Sequence, residues 1–165
     1  MALESGAHEL LDQSYPSTLE SVDVAEALIL KAAATAGFDE DEQHRIGMAV
    51  RECMVNAVVH GNRYNRNKKV RVGATLKPDS TEPSGGGHFI VRIVDEGEGF
   101  EMEEVPDPLH DNNLLRHSGR GLFLMGAFMD DVKVRRAGPE GSAMPGTEVT
   151  LIKNLTPREG AAGNE

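Results

Sequence analysis

The chain has little to build several common machines from. It carries one cysteine in 165 residues, Cys53, so no internal disulfide is possible and a reducing compartment is expected. Tryptophan is absent and only seven aromatic side chains occur, two Tyr and five Phe, so stacking platforms for single-stranded nucleic acid are not expected. Basic residues are outnumbered 17 to 27, and the formal charge of −10 argues against a broad nucleic-acid-binding face. No window is apolar enough to span a bilayer. The start, MALESGAHELL, has acids in place of a basic signal-peptide start. A cytoplasmic protein without a membrane or direct nucleic-acid partner is expected. HExxH is missing and the six histidines show no metal-ligand spacing, which removes a zinc site. Neither Gly-x-Gly-x-x-Gly nor a Walker A loop occurs; Gly146 is followed by Thr147, not by a lysine.

What is present centres on residues 51–62, RECMVNAVVHGN. Glu52, Asn56 and His60 recur every four residues. In a helix they drift by about 40° per step and share an arc of about 80°. Their neighbours are apolar: Ile46, Val50, Cys53 and Ala57 form one stripe, Met54 and Val58 a second, Met48, Val55 and Val59 a third. A helix apolar on most sides is expected to be buried. A carboxylate and an amide buried with it need partners. Cys53 lies on an apolar stripe and reads as a core thiol.

Around this segment the elements follow in order. His8–Ser14 reads as a strand that Tyr15–Pro16 breaks. Residues 21–36 read as a helix with Ser21 as N-cap and Gly37 past its end. Asp39 and Glu42 form a capping-box variant for a second helix that runs to about Val59 or His60, ended by Gly61. Lys69–Lys77 alternates as a half-buried strand, and His88–Asp95 reads as an inner strand. Residues 101–118 form a long polar loop, Gly119–Met129 a third helix, and residues 130–136 and 146–153 two last strands. Clean alternation favours a two-layer α/β (α+β) sandwich: a mainly antiparallel sheet with three helices on one face. One domain over residues 8–153 is expected, with residues 1–7 and 154–165 as flexible termini.

Four segments carry possible chemistry: the Glu52/Asn56/His60 stripe, VDEGEGF at 94–100, SGRGLFLM at 118–125, and PGTEVTLI at 145–152. Any one of them has a plain structural reading as a turn, a helix entry or a hydrogen-bonded stripe. Their joint order resembles the GHKL (Bergerat-type) ATP-binding fold of gyrase, histidine kinases and mismatch-repair ATPases, over roughly residues 20–153. The wording ECMVNAVVH and GRGLFLM is most similar to the anti-sigma-factor serine/threonine kinases of bacterial partner switching.

That resemblance implies ATP and Mg²⁺ as ligands, a sigma factor and a STAS-type anti-anti-sigma protein as partners, and a homodimer. It implies Asn56 as the protein ligand of the metal and Glu52 as the group that orients or deprotonates an attacking hydroxyl. Asp95 would accept from the adenine amine, Gly97 and Gly99 would let backbone approach the base, and Thr147 would support the base through water. Gly119 and Gly121 would free N–H groups for phosphate, with Arg120 between them meeting the β/γ-phosphates. His60 matches a family histidine, either touching nucleotide or supporting the residues that do. Residues 101–118 would be a lid, in which His110, Arg116 and His117 are read as solvated. Asn62 is within reach of the site on geometry alone. Residual chemistry agrees: Mg²⁺ keeps waters and needs few protein ligands, phosphoryl transfer needs positioning more than reacting groups, and a helix N-terminus with glycines suits phosphate. The cluster Arg63, Arg66, Lys68, Lys69 and Arg71 is either a solvated loop or a docking edge for an acidic partner. A non-catalytic sequestering module and a stand-alone histidine-kinase-like ATPase domain remain as alternatives. A complete histidine kinase is not expected, because one helix precedes the Glu52 helix where a phosphoacceptor hairpin would need two.

Overall fold

The computed structural model describes residues 6–79, 86–97, 125–139, 141 and 145–156. Among the described residues five strands form one sheet: β1 (His8–Pro16), β2 (Lys69–Pro78), β3 (Gly87–Val94), β4 (Asp131–Arg136) and β5 (Thr147–Leu155). Their order is β1-β2-β3-β5-β4, and each pairing is antiparallel. The expected two-layer α/β arrangement is the observed one.

Alternation decides the faces. Val70, Val72 and Ala74 on β2, Phe89, Val91 and Ile93 on β3, and Val149 and Leu151 on β5 are buried under the helices. The intervening residues lie on the other face, and several of them carry charge. There Arg71 pairs with Asp12 at 2.8 Å, and Glu148 takes Arg92 at 2.8 Å and Arg135 at 3.1 Å. This is the half-solvated pattern of an antiparallel sheet.

Helix α1 (Leu19–Ala36) and helix α2 (Glu40–Val55) lie on the inner face. Val22, Ala25, Ile29 and Ala33 of α1 meet Ile46, Val50, Cys53 and Met54 of α2 in one core. Phe38, between the helices, packs edge-on against Phe89 of β3 with centroids 5.6 Å apart. Buried Lys153 of β5 donates to the Phe128 carbonyl at 3.1 Å and faces Glu42 at 3.6 Å, which ties the start of α2 to the segment 125–129.

Two expected boundaries move, each for a physical reason. Thr18, not Ser21, caps α1: Ser21 N–H donates to Thr18 Oγ1 at 3.2 Å, so the helix starts at Leu19. β1 runs through Tyr15–Pro16 because it is an edge strand, where a missing proline N–H leaves no neighbour unpaired. Gly37 does end α1 in the left-handed region, at φ 113°, and Asp39 does cap α2, accepting from Glu42 N–H at 2.8 Å. β5 extends two residues past the expected end of the domain, so Asn154 and Leu155 belong to the sheet. No helix among the described residues is long and apolar enough to cross a membrane.

Candidate functional site

Antiparallel register builds one end of the site. Val94 faces Glu148 across β3 and β5, so the residue after β3, Asp95, lies beside the first residue of β5, Thr147. Asp95 N–H donates to the Thr147 carbonyl at 3.0 Å. In return Thr147 N–H donates to Asp95 Oδ1 at 3.1 Å, and Gly97 N–H donates to the same oxygen at 2.9 Å. Asp95 is 6% exposed and Thr147 is buried. Burial raises the Asp95 pKa above the ordinary carboxylate value; the two N–H groups and the nearby Lys68 charge oppose that shift without cancelling it.

The other wall comes from α2. The α-helix does not continue to Val59 or His60 as expected. It gives way at Asn56 to a π-helical turn, Asn56–Gly61, in which Asn62 N–H reaches back to the Ala57 carbonyl at 2.8 Å. Such wide turns recur at functional sites. Here the turn breaks the four-residue stripe. Glu52 and Asn56 are half-buried while His60 is exposed. The helix is also less buried than its apolar neighbours imply, since Met48 is 41% exposed and Val55 and Val59 are half-buried.

Gly61 at the end of the π-turn closes on Asp95. A Cβ there would run into the Asp95 carboxylate, with Cγ only 2.6 Å away. Gly97 and Gly146 are as tight: a Cβ on Gly97 would strike the Gly61 carbonyl, and one on Gly146 the Asp95 carbonyl. Gly146 also has φ +80°, a conformation other residues avoid. Three glycine backbones thus crowd around Asp95 and the segment beside it.

At the opposite end of the π-turn, Asn56 Oδ1 is fully buried and has no hydrogen-bond partner among the described residues. A buried carbonyl oxygen left unbonded costs about 1–3 kcal/mol. It is the kind of donor a hard cation takes. The described residues hold no cluster of three His, Cys, Asp or Glu that could cage a metal alone. A single amide oxygen therefore fits an ion whose other ligands are phosphates and waters, as Mg²⁺ requires. Glu52, one helical turn earlier, shares this neighbourhood with Asp95. Cys53 is pushed far above the usual thiol range by burial first, then by the charges of Asp95 and Glu52, so both carboxylates act on one sulfur. That thiol is inert at neutral pH.

Gly99, Gly119, Arg120 and Gly121, and the segment 101–118 with His110, Arg116 and His117, lie outside the described residues. Of the third helix, 125–128 is described. Asn62, expected only to be within reach of the site, instead spends its side chain on backbone and Ser17 contacts. Sequence reading took Gly61 as a helix stop and missed its packing role; the adjacent glycines around VDEG and PGT were the available signal. Arg63, the first residue of the basic cluster, and its neighbour Tyr64 both have positive φ, 51° and 61°, in the turn that leaves the π-helix.

Known proteins match this layout. The family model described as the histidine kinase-like ATPase domain matches residues 15–153. The serine-protein kinase RsbW of Oceanobacillus iheyensis is 30% identical over 133 residues, 77% of this chain and 79% of that protein. The anti-sigma F factor of Priestia megaterium is 33% identical over 118 residues, 70% of this chain and 72% of that protein. A solved chain of the SiaB–SiaC complex from Pseudomonas aeruginosa shares the fold at TM-score 0.55 and 11% identity, covering 89% of this chain and 91% of its own. With a family model spanning most of its length and relatives at this identity, the chain belongs to the histidine kinase-like ATPase domain family, in its anti-sigma-factor serine/threonine kinase branch.

Proposed function

We propose that the protein is a Mg-ATP-dependent protein serine kinase that sequesters a sigma factor and phosphorylates a STAS-type anti-anti-sigma protein. The observation that carries this reading is the buried Asn56 Oδ1, without a hydrogen-bond partner among the described residues, one turn after the half-buried Glu52. An oxygen that costs stability as it stands is explained by a ligand it receives.

In this reading Asn56 holds Mg²⁺, which when bound neutralises charge on the β- and γ-phosphates. Asp95 accepts a hydrogen bond from the adenine amine through the oxygen not used by Gly97 and Thr147. Thr147 supports that contact through water, and Gly97 and Gly99, having no side chains, let backbone approach the base. Gly119, Arg120 and Gly121 take the phosphates. His60, exposed at the end of the π-turn, borders the nucleotide rather than reaching under it. Glu52 orients the acceptor serine and takes its proton while serine Oγ bonds to the γ-phosphorus. The bond from that phosphorus to the β,γ-bridging oxygen breaks and ADP leaves. Positioning and charge do most of the work in such transfers. The protein acts in the cytoplasm as a homodimer.

Intact-mass analysis of candidate STAS proteins incubated with the chain and Mg-ATP tests the reading. One added phosphoryl group on serine is the expected result. Glu52→Gln should bind ATP within about twofold of wild type and lose transfer by about 10²–10⁴-fold. Full transfer by that variant would remove Glu52 as the base. Partner capture that requires ATP yet adds no mass would replace the kinase with a sequestering module.

A further inference from the structure

Asn62 is 2% exposed, and each polar group of its side chain is engaged. Nδ2 donates to Ser17 Oγ at 2.8 Å and to the Lys69 carbonyl at 3.0 Å. Oδ1 accepts from Glu96 N–H at 2.7 Å. The network continues outward: Ser17 Oγ donates to the Lys68 carbonyl at 2.7 Å, and Glu96 Oε1 accepts from Lys69 N–H at 2.7 Å. One amide therefore joins the β1–α1 junction, the end of the π-turn, the start of β2 and the turn after β3. None of these contacts is a ladder bond of the sheet.

Two adjacent pairs cross here. Gly61 packs on Asp95, and the next residue of each segment, Asn62 and Glu96, forms a hydrogen bond. The first contact has no slack, because not even a methyl group fits between Gly61 and the carboxylate. The second fixes how far the π-turn stands from the turn after β3. A fully satisfied buried network holds its members in one geometry. A hydrogen bond that must meet one edge of a base demands such placement.

We propose that Asn62 is a positioning residue for base selection: through Glu96 N–H and Gly61 it sets where the Asp95 carboxylate stands and thereby makes the site prefer adenine over a purine without the exocyclic amine. This rests on the reading of Asp95 as the adenine acceptor. Asn62 itself touches no nucleotide.

The test compares binding of ATP and inosine triphosphate, whose base presents a carbonyl where adenine has its amine. Wild type should prefer ATP by about tenfold or more, and Asn62→Ala by less than about threefold. Affinity for Mg-tripolyphosphate, which has no base, should stay within about twofold in the variant. Val134→Ala, a core truncation on edge strand β4 that takes no part in the Asn62 network, supplies a stability control and should keep the wild-type preference. A preference retained in Asn62→Ala overturns the inference, and so does an equal loss in Val134→Ala. Absence of any preference in wild type overturns the reading of Asp95 itself, and the inference with it. If Asn62→Ala does not fold, Asn62→Gln is read in its place. It keeps the same groups on a stem one methylene longer, and retained preference there is equally fatal.

Discussion

At the Asp95 end of the site, Oδ1 takes two backbone N–H groups and three glycine backbones leave no room for a methyl group. At the Asn56 end, one π-turn away, a buried amide oxygen has no partner among the described residues. One short π-turn spans the two ends, yet they follow opposite rules. The Asp95 end is assembled by the fold and keeps its shape without help. The Asn56 end stores an unmet hydrogen-bonding demand. For a nucleotide site the division is sensible. A flat base is recognised by fixed geometry, whereas phosphates and a hydrated cation bring their own charges and ligands.

Substitution of Asp95 should separate the ends most sharply. Asp95→Asn keeps Oδ1 as an acceptor for Gly97 and Thr147 but offers an amine toward the adenine amine. A buried hydrogen bond to a charged group is lost, so ATP affinity should fall by about 100-fold or more in calorimetry. Stability should move the other way. The folded state holds this carboxylate at a cost, and neutral asparagine removes the charge, so the thermal midpoint at neutral pH should rise. A fall in both quantities would mean that Asp95 is a structural residue first.

A smaller effect is expected from a methyl group added at each of two glycines. Gly61→Ala pushes on the Asp95 carboxylate and should cost about 1–3 kcal/mol in urea unfolding, with ATP affinity reduced alongside. Gly126→Ala, in the helical segment after the site, meets nothing within 4 Å and should stabilise by up to about 1 kcal/mol. Equal responses at the two positions would show that the crowding around Asp95 relaxes freely.

The contrast also sorts what could be read from the residues. Strand β2 was legible because Val70, Val72 and Ala74 alternate with charged or small residues, and burial follows that period. α2 was legible from Asp39 onward because a cap leaves a local signature. Asp95 stood out as an acid closing an apolar strand. The π-turn was not legible: apolar residues suit an i→i+4 and an i→i+5 ladder alike, and which one forms depends on tertiary contacts at Gly61. The clamp role of Asn62 was not legible for a related reason. Its partners, Ser17, Lys69 and Glu96, are distant in sequence, and nothing local distinguishes a buried clamp from a polar loop residue. Pro16 misled because a strand-breaking residue is harmless on an edge, and edge position is a property of the sheet.

The smallest effect expected is on pH dependence, where Asp95 and Glu148 should differ in sign. Glu148 is pushed up by burial, but Arg92 and Arg135 together outweigh that and hold it below the usual glutamate range. Its contribution to stability is present above 4.5, the ordinary value, and is lost as pH falls through its lower folded-state value. Asp95 is shifted upward, so its contribution is present below 3.8 and is lost as pH rises through its higher folded-state value. At neutral pH, Glu148→Gln should therefore lower stability while Asp95→Asn raises it. On acidification the Asp95→Asn advantage should shrink as pH falls through the raised folded-state value and be gone below 3.8. The Glu148→Gln deficit should persist to below 4.5. Urea unfolding of both variants against wild type across this range reads the two curves directly. Curves of the same sign would mean that the charge on the open sheet face and the charge in the pocket are held in the same way, and the division between framework and site would not extend to electrostatics.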